Sequence, residues 1–136
     1  MTDYGLTAGQ QQLIVDFMNA GNGVYLEGTD FGSHHYADPV YAMFGIYFLA
    51  TGATSYNVQY LVGQEDTLLE KMNMNYTYGN YYPDLSVDYF YALGADTLSR
   101  CQSNNRRISA YSGDNGTYRT IHSAIWFGAM IEAGSS

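Results

Sequence analysis

The 136 residues suffice for one hydrophobic core and are too few for two ordinary domains, so we expect a single domain over residues 1–136. The composition is 46% hydrophobic and 13% charged, and no apolar run approaches the roughly 18 residues of a membrane-spanning helix, which predicts a soluble protein without membrane insertion. The net charge of −8 disfavours nucleic acid as a partner, because phosphate binding needs clustered Lys and Arg.

The first predicted elements are an amphipathic helix and a short buried strand. Thr7 is a suitable N-cap for a helix over residues 8–19, where apolar side chains recur at helical spacing. Gly21 and Gly23 can adopt the positive φ that ends a helix, and the apolar residues 24–26 then predict a strand. In an open α/β sheet, ligands bind in the loops at the carboxyl ends of such strands.

Shorter elements follow along the rest of the chain. An Asp-Pro pair that starts at Asp38 predicts a short helix that ends near Gly45. The polar run at residues 112–116 predicts a hairpin turn around Asn115, because Asn and Gly tolerate the left-handed conformation of tight turns. Apolar spacing predicts a terminal helix over residues 123–133. The further predicted strands cover residues 47–50, 56–62, the second half of 68–78, 87–93, 95–102, 107–111 and 118–121.

A glycine-flanked motif after the first strand carries a resemblance to a known superfamily. The run Gly28-Thr29-Asp30-Phe31-Gly32 has the form G-x-D-x-G, and "GTYRTIHSAIWFGAMIEA" follows near the end of the chain. Together they resemble class I glutamine amidotransferase-like domains, in which a strand leads into a G-x-C-x-G elbow. More narrowly, "GNGVYLEGTDFG", "GATSYNVQYLVG" and "YRTIHSAIWFGAM" are similar to non-enzymatic modules of large secreted bacterial proteins.

The pattern and the resemblance predict an α/β, flavodoxin-like fold. We expect three α/β/α layers, a mainly parallel central sheet and an added antiparallel hairpin around Asn115. The superfamily fold begins with one or two βα units before the helix at 8–19, so this chain is expected to lack them or to be a fragment of a larger protein. The strand at 24–26 would then lie at an open edge, which favours a homodimer or larger assembly unless the terminal helix or residues 45–60 cover it.

The same resemblance bears on function. Where the active enzymes hold a nucleophilic cysteine, this sequence has Asp30, and a carboxylate is a far weaker nucleophile toward amides. We predict a non-catalytic binding or assembly module of an extracellular or cell-envelope bacterial protein that contacts protein or glycan. The competing hypothesis is a hydrolase that uses Asp30, Glu27 and His122. In the alternative interpretation, Asp30 caps the next turn, Glu27 faces solvent and His122 is a hydrogen-bonded structural residue.

Histidines and tyrosines supply the remaining candidate residues. His34, His35, Asp38 and Asp30 could ligate a divalent ion, with a plain surface loop as the alternative, and we expect no cofactor. The 15 tyrosines suit protein interfaces and carbohydrate stacking, or equally half-buried strands. The predicted ligand-binding residues are Thr29, His34, His35, Tyr36, Tyr81 and Tyr82.

Overall fold

The computed structural model describes residues 5–51, 58–76, 87–113 and 116–132. The helices are α1 (Ala8–Asn19), α2 (Phe31–His35) and α3 (Pro39–Ala42), and a 3₁₀ helix spans Phe127–Ala129. The strands are β1 (Gly23–Glu27), β2 (Ile46–Ala50), β3 (Tyr60–Gly63), β4 (Asn73–Tyr76), β5 (Tyr89–Ala92), β6 (Asp96–Cys101), β7 (Arg106–Tyr111), β8 (Arg119–Ser123) and β9 (Met130–Glu132).

The described strands form one mixed sheet. Its order is β1-β8-β7-β6-β3-β4-β9, and β2 joins the sheet through β5. β5 pairs with β7 at Phe90 and Arg106, just beyond the last β7–β8 pair at Ile108 and Ser123. β1 and β8 run parallel, whereas the other described pairs are antiparallel. Of the described residues, 38% are in strands and 22% in helices, and the sheet curls into a half-barrel.

The expected three-layer α/β/α fold with a mainly parallel sheet is wrong. Parallel neighbours need a crossover of a dozen or more residues, usually a helix, whereas antiparallel neighbours can be joined by a short turn. The connection from β6 to β7 is only residues 102–105, so these two strands must be antiparallel. The predicted terminal helix over residues 123–133 is also wrong, because β8 ends at Ser123 and the 3₁₀ helix then leads into β9.

Individual elements agree with the sequence better than the fold class does. α1 begins with the capping box of Thr7 and Gln10, whose side chains each accept the other residue's backbone N–H at 3.2 and 2.9 Å. β7 and β8 are antiparallel, as a hairpin requires, while Asn115 lies outside the described residues. The residues after Asp30, which the sequence presents as a loop, form the short helix α2 instead.

The core packs the helices against the sheet. Phe44, which follows α3, and Phe90 of β5 are fully buried. Arg107 is buried as well, and its guanidinium donates to the carbonyls of Val87 and Asp88 at 2.7 and 2.8 Å, which ties the start of β5 to β7. In the described part of the chain β1 pairs with β8 alone and therefore forms one end of the sheet. No described helix is both long enough and apolar enough to cross a membrane.

Candidate functional site

The parallel pairing of β1 with β8 brings two carboxyl strand ends together. Tyr25 lies opposite Ile121, Glu27 lies opposite Ser123, and the N–H of Gly28 donates to the Ser123 carbonyl at 2.9 Å. Alternate residues of a strand point to opposite faces, so Tyr25 and Glu27 share one face and Leu26 points to the other. The two faces of the sheet therefore present different side chains at these strand ends.

Exposed aromatic residues lie next to the Glu27 carboxylate, which contacts the Tyr25 hydroxyl and the Phe127 backbone N–H. We call Tyr25, Glu27, Trp126 and Phe127 the aromatic patch. The exposed fractions are 49% for Tyr25, 45% for Trp126 and 42% for Phe127, which are large values for aromatic side chains. The Tyr25 and Phe127 rings are in tilted contact with their centroids 5.9 Å apart. Because the Tyr25 and Phe127 rings are in contact and open to solvent, they offer a stacking surface, and the exposed Trp126 is adjacent to Phe127 in the chain.

Glu27 is held in place by its neighbours in the aromatic patch. One carboxylate oxygen accepts the backbone N–H of Phe127, and the other accepts the Tyr25 hydroxyl at 3.3 Å. Partial burial and the Glu27 charge raise the pKa of Tyr25 to about 12, so the phenol stays a hydrogen-bond donor at neutral pH. Each carboxylate oxygen retains a lone pair, and the group can accept further hydrogen bonds from a hydroxyl-bearing ligand.

The second face holds His122 in a closed, aromatic environment. The imidazole is 1% exposed, and its ring lies 5.2 to 6.1 Å from the rings of Phe31, Phe44 and Phe90. Its Nδ1 contacts the Leu26 carbonyl at 3.2 Å. Burial lowers the pKa of His122 to about 4, although the bond to Leu26 opposes the shift. The imidazole is thus neutral near pH 7 and packs against aromatic rings.

Asp88 is the buried carboxyl of this region, and the sequence did not single it out. Its side chain is held by Ser33, whose N–H donates to Oδ2 at 2.8 Å, and the other oxygen, Oδ1, is buried without a hydrogen-bond partner. Burial and the charge of Asp30 raise the pKa of Asp88 to about 7, against the opposing bonds from Ser33 and Gly32. A lone acidic residue between Val87 and Tyr89 in a predicted strand was the available signal.

Glu27 and Asp30, the pair expected at the strand end, have separate surroundings. Glu27 bonds to Tyr25 and Phe127, whereas the charge of Asp30 acts on Asp88. Asp30 occupies the N-cap position of α2 without a side-chain capping bond. We call His122, Phe31, Gly32 and Asp88 the buried elbow, because they pack where the chain turns from β1 into α2.

The histidine cluster has a local structural arrangement. His35 is buried; its Nε2 accepts the Leu6 N–H and its Nδ1 contacts an Asp38 carboxylate oxygen, both at 2.8 Å. An accepting Nε2 places the proton on Nδ1, so both ring nitrogens are in use. His34 is exposed on the same helix. Among the described residues no group of three His, Cys, Asp or Glu side chains is placed to hold a metal ion.

The remaining predicted ligand-binding residues are scattered. Thr29 is buried, and its carbonyl accepts the Asp88 N–H at 2.9 Å. Tyr36 is exposed and stacks on Phe48 with ring centroids 5.6 Å apart, away from the contacts that define the aromatic patch. Tyr81 and Tyr82 lie outside the described residues.

The predicted terminal helix over residues 123–133 includes Trp126 and Phe127, so the sequence did not place either residue near Glu27. In the structure Trp126 follows the end of β8, and its backbone N–H donates to the hydroxyl of the buried Tyr76 at 3.2 Å. Phe127 begins the 3₁₀ helix and reaches Glu27 through its backbone N–H. The available signal was two adjacent large aromatic residues after a strand end, in a chain with few charged side chains to cover them.

The sequence matches no known protein-family model and no curated protein. The structure is similar to that of a cold-adapted β-galactosidase from Rahnella sp. R3, with 14% identity and a TM-score of 0.64. The match covers 90% of this chain and 19% of the β-galactosidase chain. At this identity the likeness concerns the fold alone.

The resemblance to class I glutamine amidotransferase-like domains, and to modules of that type in secreted bacterial proteins, is therefore wrong. The G-x-D-x-G run has a packing role: a Cβ on Gly32 would lie 2.6 Å from the Phe48 ring and 3.1 Å from the Tyr41 hydroxyl. A glycine needed for close packing produces the same sequence pattern as a nucleophile elbow.

Proposed function

We propose that this chain is a non-catalytic glycan-binding module whose aromatic patch stacks on an uncharged sugar ring. The observation that carries the proposal is the exposed ring contact of Tyr25 and Phe127 beside the carboxylate of Glu27, which both residues hold by hydrogen bonds, with the exposed Trp126 adjacent in the chain. A pyranose has an apolar C–H face and a rim of hydroxyl groups. Aromatic rings suit the face, and a carboxylate accepts hydrogen bonds from the rim.

Charge favours a neutral sugar over an acidic one at this place. The Glu27 carboxylate is bonded to the Tyr25 hydroxyl and the Phe127 backbone N–H, and the chain carries a net charge of −8. A carboxylated or sulfated sugar would meet repulsion both from the site and from the long-range field of the protein. The β-galactosidase chain that shares the fold provides the first probe, a β-linked galacto-oligosaccharide. Because the match covers 19% of that chain, we propose a binding role and not the activity of the whole enzyme.

Trp126 makes the proposal directly testable, because it is the only tryptophan in the chain. We expect the galacto-oligosaccharide to shift the emission of Trp126 to shorter wavelength and to protect it from acrylamide, since a stacked sugar excludes water. Phe127→Ala should weaken binding about two- to tenfold, the loss expected for one aromatic contact. Glu27→Gln keeps the shape of the side chain and should weaken binding by removing the charge-assisted acceptor.

Phe17→Ala is the matched control, because Phe17 is a phenylalanine of α1 with 45% exposure outside the aromatic patch. It should bind the sugar as the parent does. The proposal fails if a panel of neutral sugars leaves the Trp126 emission unchanged, or if Phe17→Ala weakens binding as much as Phe127→Ala does. A dimer through the open edge of β1 is the alternative outcome. In that case the Trp126 emission would change with protein concentration in the absence of sugar, and light scattering on the same samples would detect the dimer.

A hydrolase is the second candidate, and one observation favours it. Asp88 has its pKa raised to about 7, first by burial, and the charge of Asp30 contributes to the shift, as in an acid and base pair. Against this, Asp88 is only 2% exposed. Release of nitrophenol from aryl β-galactosides would support the hydrolase if Asp30→Asn and Asp88→Asn each abolished it while the Trp126 response to sugar persisted. Equal rates with and without protein would leave binding as the function.

A further inference from the structure

Two arginines lie directly opposite each other on the sheet. Arg100 of β6 and Arg106 of β7 are paired in the antiparallel register, and both are half-buried. Arg106 also pairs with β5 through Phe90, and its guanidinium lies 5.4 Å from the centre of the exposed Tyr91 ring. Tyr91 in turn pairs with the exposed Tyr47 of β2. Two tyrosines and two arginines therefore form a row across four strands.

Both guanidinium groups donate hydrogen bonds to neutral partners, and some of their N–H groups remain available as donors. The Nε of Arg106 donates to the Thr97 hydroxyl at 3.0 Å, which leaves its two terminal NH₂ groups without a hydrogen bond to a described residue. Arg100 donates from Nε to the Gln64 amide oxygen at 3.2 Å and from one terminal nitrogen to the Asn104 carbonyl at 2.9 Å. The remaining fork-shaped donors match the two oxygens of an oxyanion.

No carboxylate of the described residues forms an ion pair with either arginine. This is unexpected in a chain with 13 acidic and five basic residues, where a counter-ion is easily supplied. Burial and the positive charge of Arg106 lower the pKa of Arg100, so the two cations repel each other. An anion between them would remove this repulsion.

We propose that Arg100 and Arg106 form a binding site for an oxyanion, a carboxylate, sulfate or phosphate group, bordered by Tyr91 and Gln64. The site is separate from the aromatic patch and does not depend on the glycan proposal. The net charge of −8 opposes long-range attraction of anions, so binding relies on local donors and is expected at millimolar concentration. The Tyr91 ring lies 5.4 Å from the Arg106 guanidinium and is therefore available to a ring that carries the anion.

The test measures the melting temperature in sodium sulfate and sodium phosphate against sodium chloride of equal ionic strength. We expect the parent to gain about 3–6 °C more from sulfate or phosphate than the Arg106→Gln variant at roughly ten times Kd. Arg119→Gln is the control, because Arg119 is an exposed arginine of β8 that pairs with Gly23. General stabilisation by sulfate acts on all variants alike, so the difference between variants reports the site.

Two further measurements distinguish the possible sources of the anion and test the site in the parent protein, where misfolding of a variant plays no part. Galacturonate and galactose at equal concentration test a sugar carboxylate against the neutral ring; a response to galacturonate alone assigns the site to acidic sugars, and a response to inorganic sulfate alone assigns it to free anions. Titration of the parent should shift the Nε–H NMR signals of Arg100 and Arg106 and leave that of Arg119 unchanged. Equal responses of all arginine signals, or equal melting gains in Arg106→Gln and the parent, would overturn the proposal.

Discussion

The aromatic patch and the buried elbow begin at the same two strand ends and differ in solvent access. Tyr25 and Glu27 share one face and contact Phe127, whereas His122 on the neighbouring strand is 1% exposed among phenylalanine rings. Alternation along paired strands separates them, because Leu26 pairs with His122 while Glu27 pairs with Ser123. The residue type alone therefore does not determine whether a histidine or an acidic residue after a strand binds a ligand or stabilises the fold.

The largest contrast is expected between His122→Ala and Phe127→Ala. Removing the imidazole leaves a cavity among Phe31, Phe44 and Phe90, and we expect the free energy of unfolding to fall by about 2–4 kcal/mol. Phe127→Ala should change it by less than about 1 kcal/mol, because that ring is 42% exposed. Urea denaturation measures both. Similar losses in the two variants would mean that the two regions are not energetically distinct.

Gly32→Ala should destabilise the buried elbow by about 1–3 kcal/mol, because a Cβ there would lie 2.6 Å from Phe48, 3.1 Å from the Tyr41 hydroxyl and 3.2 Å from Asp88. Gly28→Ala is the matched control in the same turn, since its Cβ would have no atom within 4 Å. Thermal unfolding should show a lower melting temperature for Gly32→Ala alone. If Gly28→Ala melted equally early, the close packing of α2 would not be the cause.

The raised pKa of Asp88 should make the stability of the protein depend on pH. Its pKa is raised from 3.8 in the unfolded chain to about 7 in the fold, so the ionised carboxyl destabilises the fold above pH 7 and this cost vanishes as the pH falls toward 3.8. His122 acts in the opposite direction. Its pKa is lowered from 6.5 to about 4, so stability is lost as the pH falls from 6.5 to 4. In the parent the two effects partly cancel between pH 4 and 6.5.

In Asp88→Asn, the loss of stability at low pH that His122 causes should therefore no longer be offset by Asp88. We expect the stability of this variant relative to the parent to be higher at pH 8 than at pH 5, by about 1–2 kcal/mol. Asp96→Asn, at an exposed position of β6, is the control and should differ from the parent by less than about 0.5 kcal/mol at both values. A constant difference between Asp88→Asn and the parent from pH 5 to pH 8 would contradict a raised pKa of Asp88.

The smallest expected effect belongs to Tyr25→Phe. The variant removes one exposed hydrogen bond of 3.3 Å to Glu27 and keeps the ring, so stability should change by less than about 0.5 kcal/mol. Sugar affinity, measured by Trp126 emission, should change by less than about twofold. A loss larger than that of Phe127→Ala would show that the hydroxyl, and not ring stacking, determines binding.

The sequence predicted local elements well because local signals specify them. Thr7 and Gln10 form the cap of α1, and the Asp-Pro pair at Asp38 does precede α3. The sheet class was wrong because strand direction depends on pairings between distant residues, such as Met74 with Glu132, that no short motif records. The predicted site residues stay predictions. Glu27 lies at a strand end that is readable from the sequence, whereas its contact with the Phe127 backbone depends on the pairing of β1 with β8.

The most direct measurement of the central claim is an NMR titration of the parent with a β-linked galacto-oligosaccharide. The single indole N–H belongs to Trp126, and the chain has three histidines, so signals from the aromatic patch and the buried elbow are separable. We expect the signals of Trp126, Phe127 and Tyr25 to shift on binding while those of the His122 imidazole and the Ser33 amide stay unchanged. Shifts centred on His122 and Ser33, with the Trp126 indole unaffected, would contradict it.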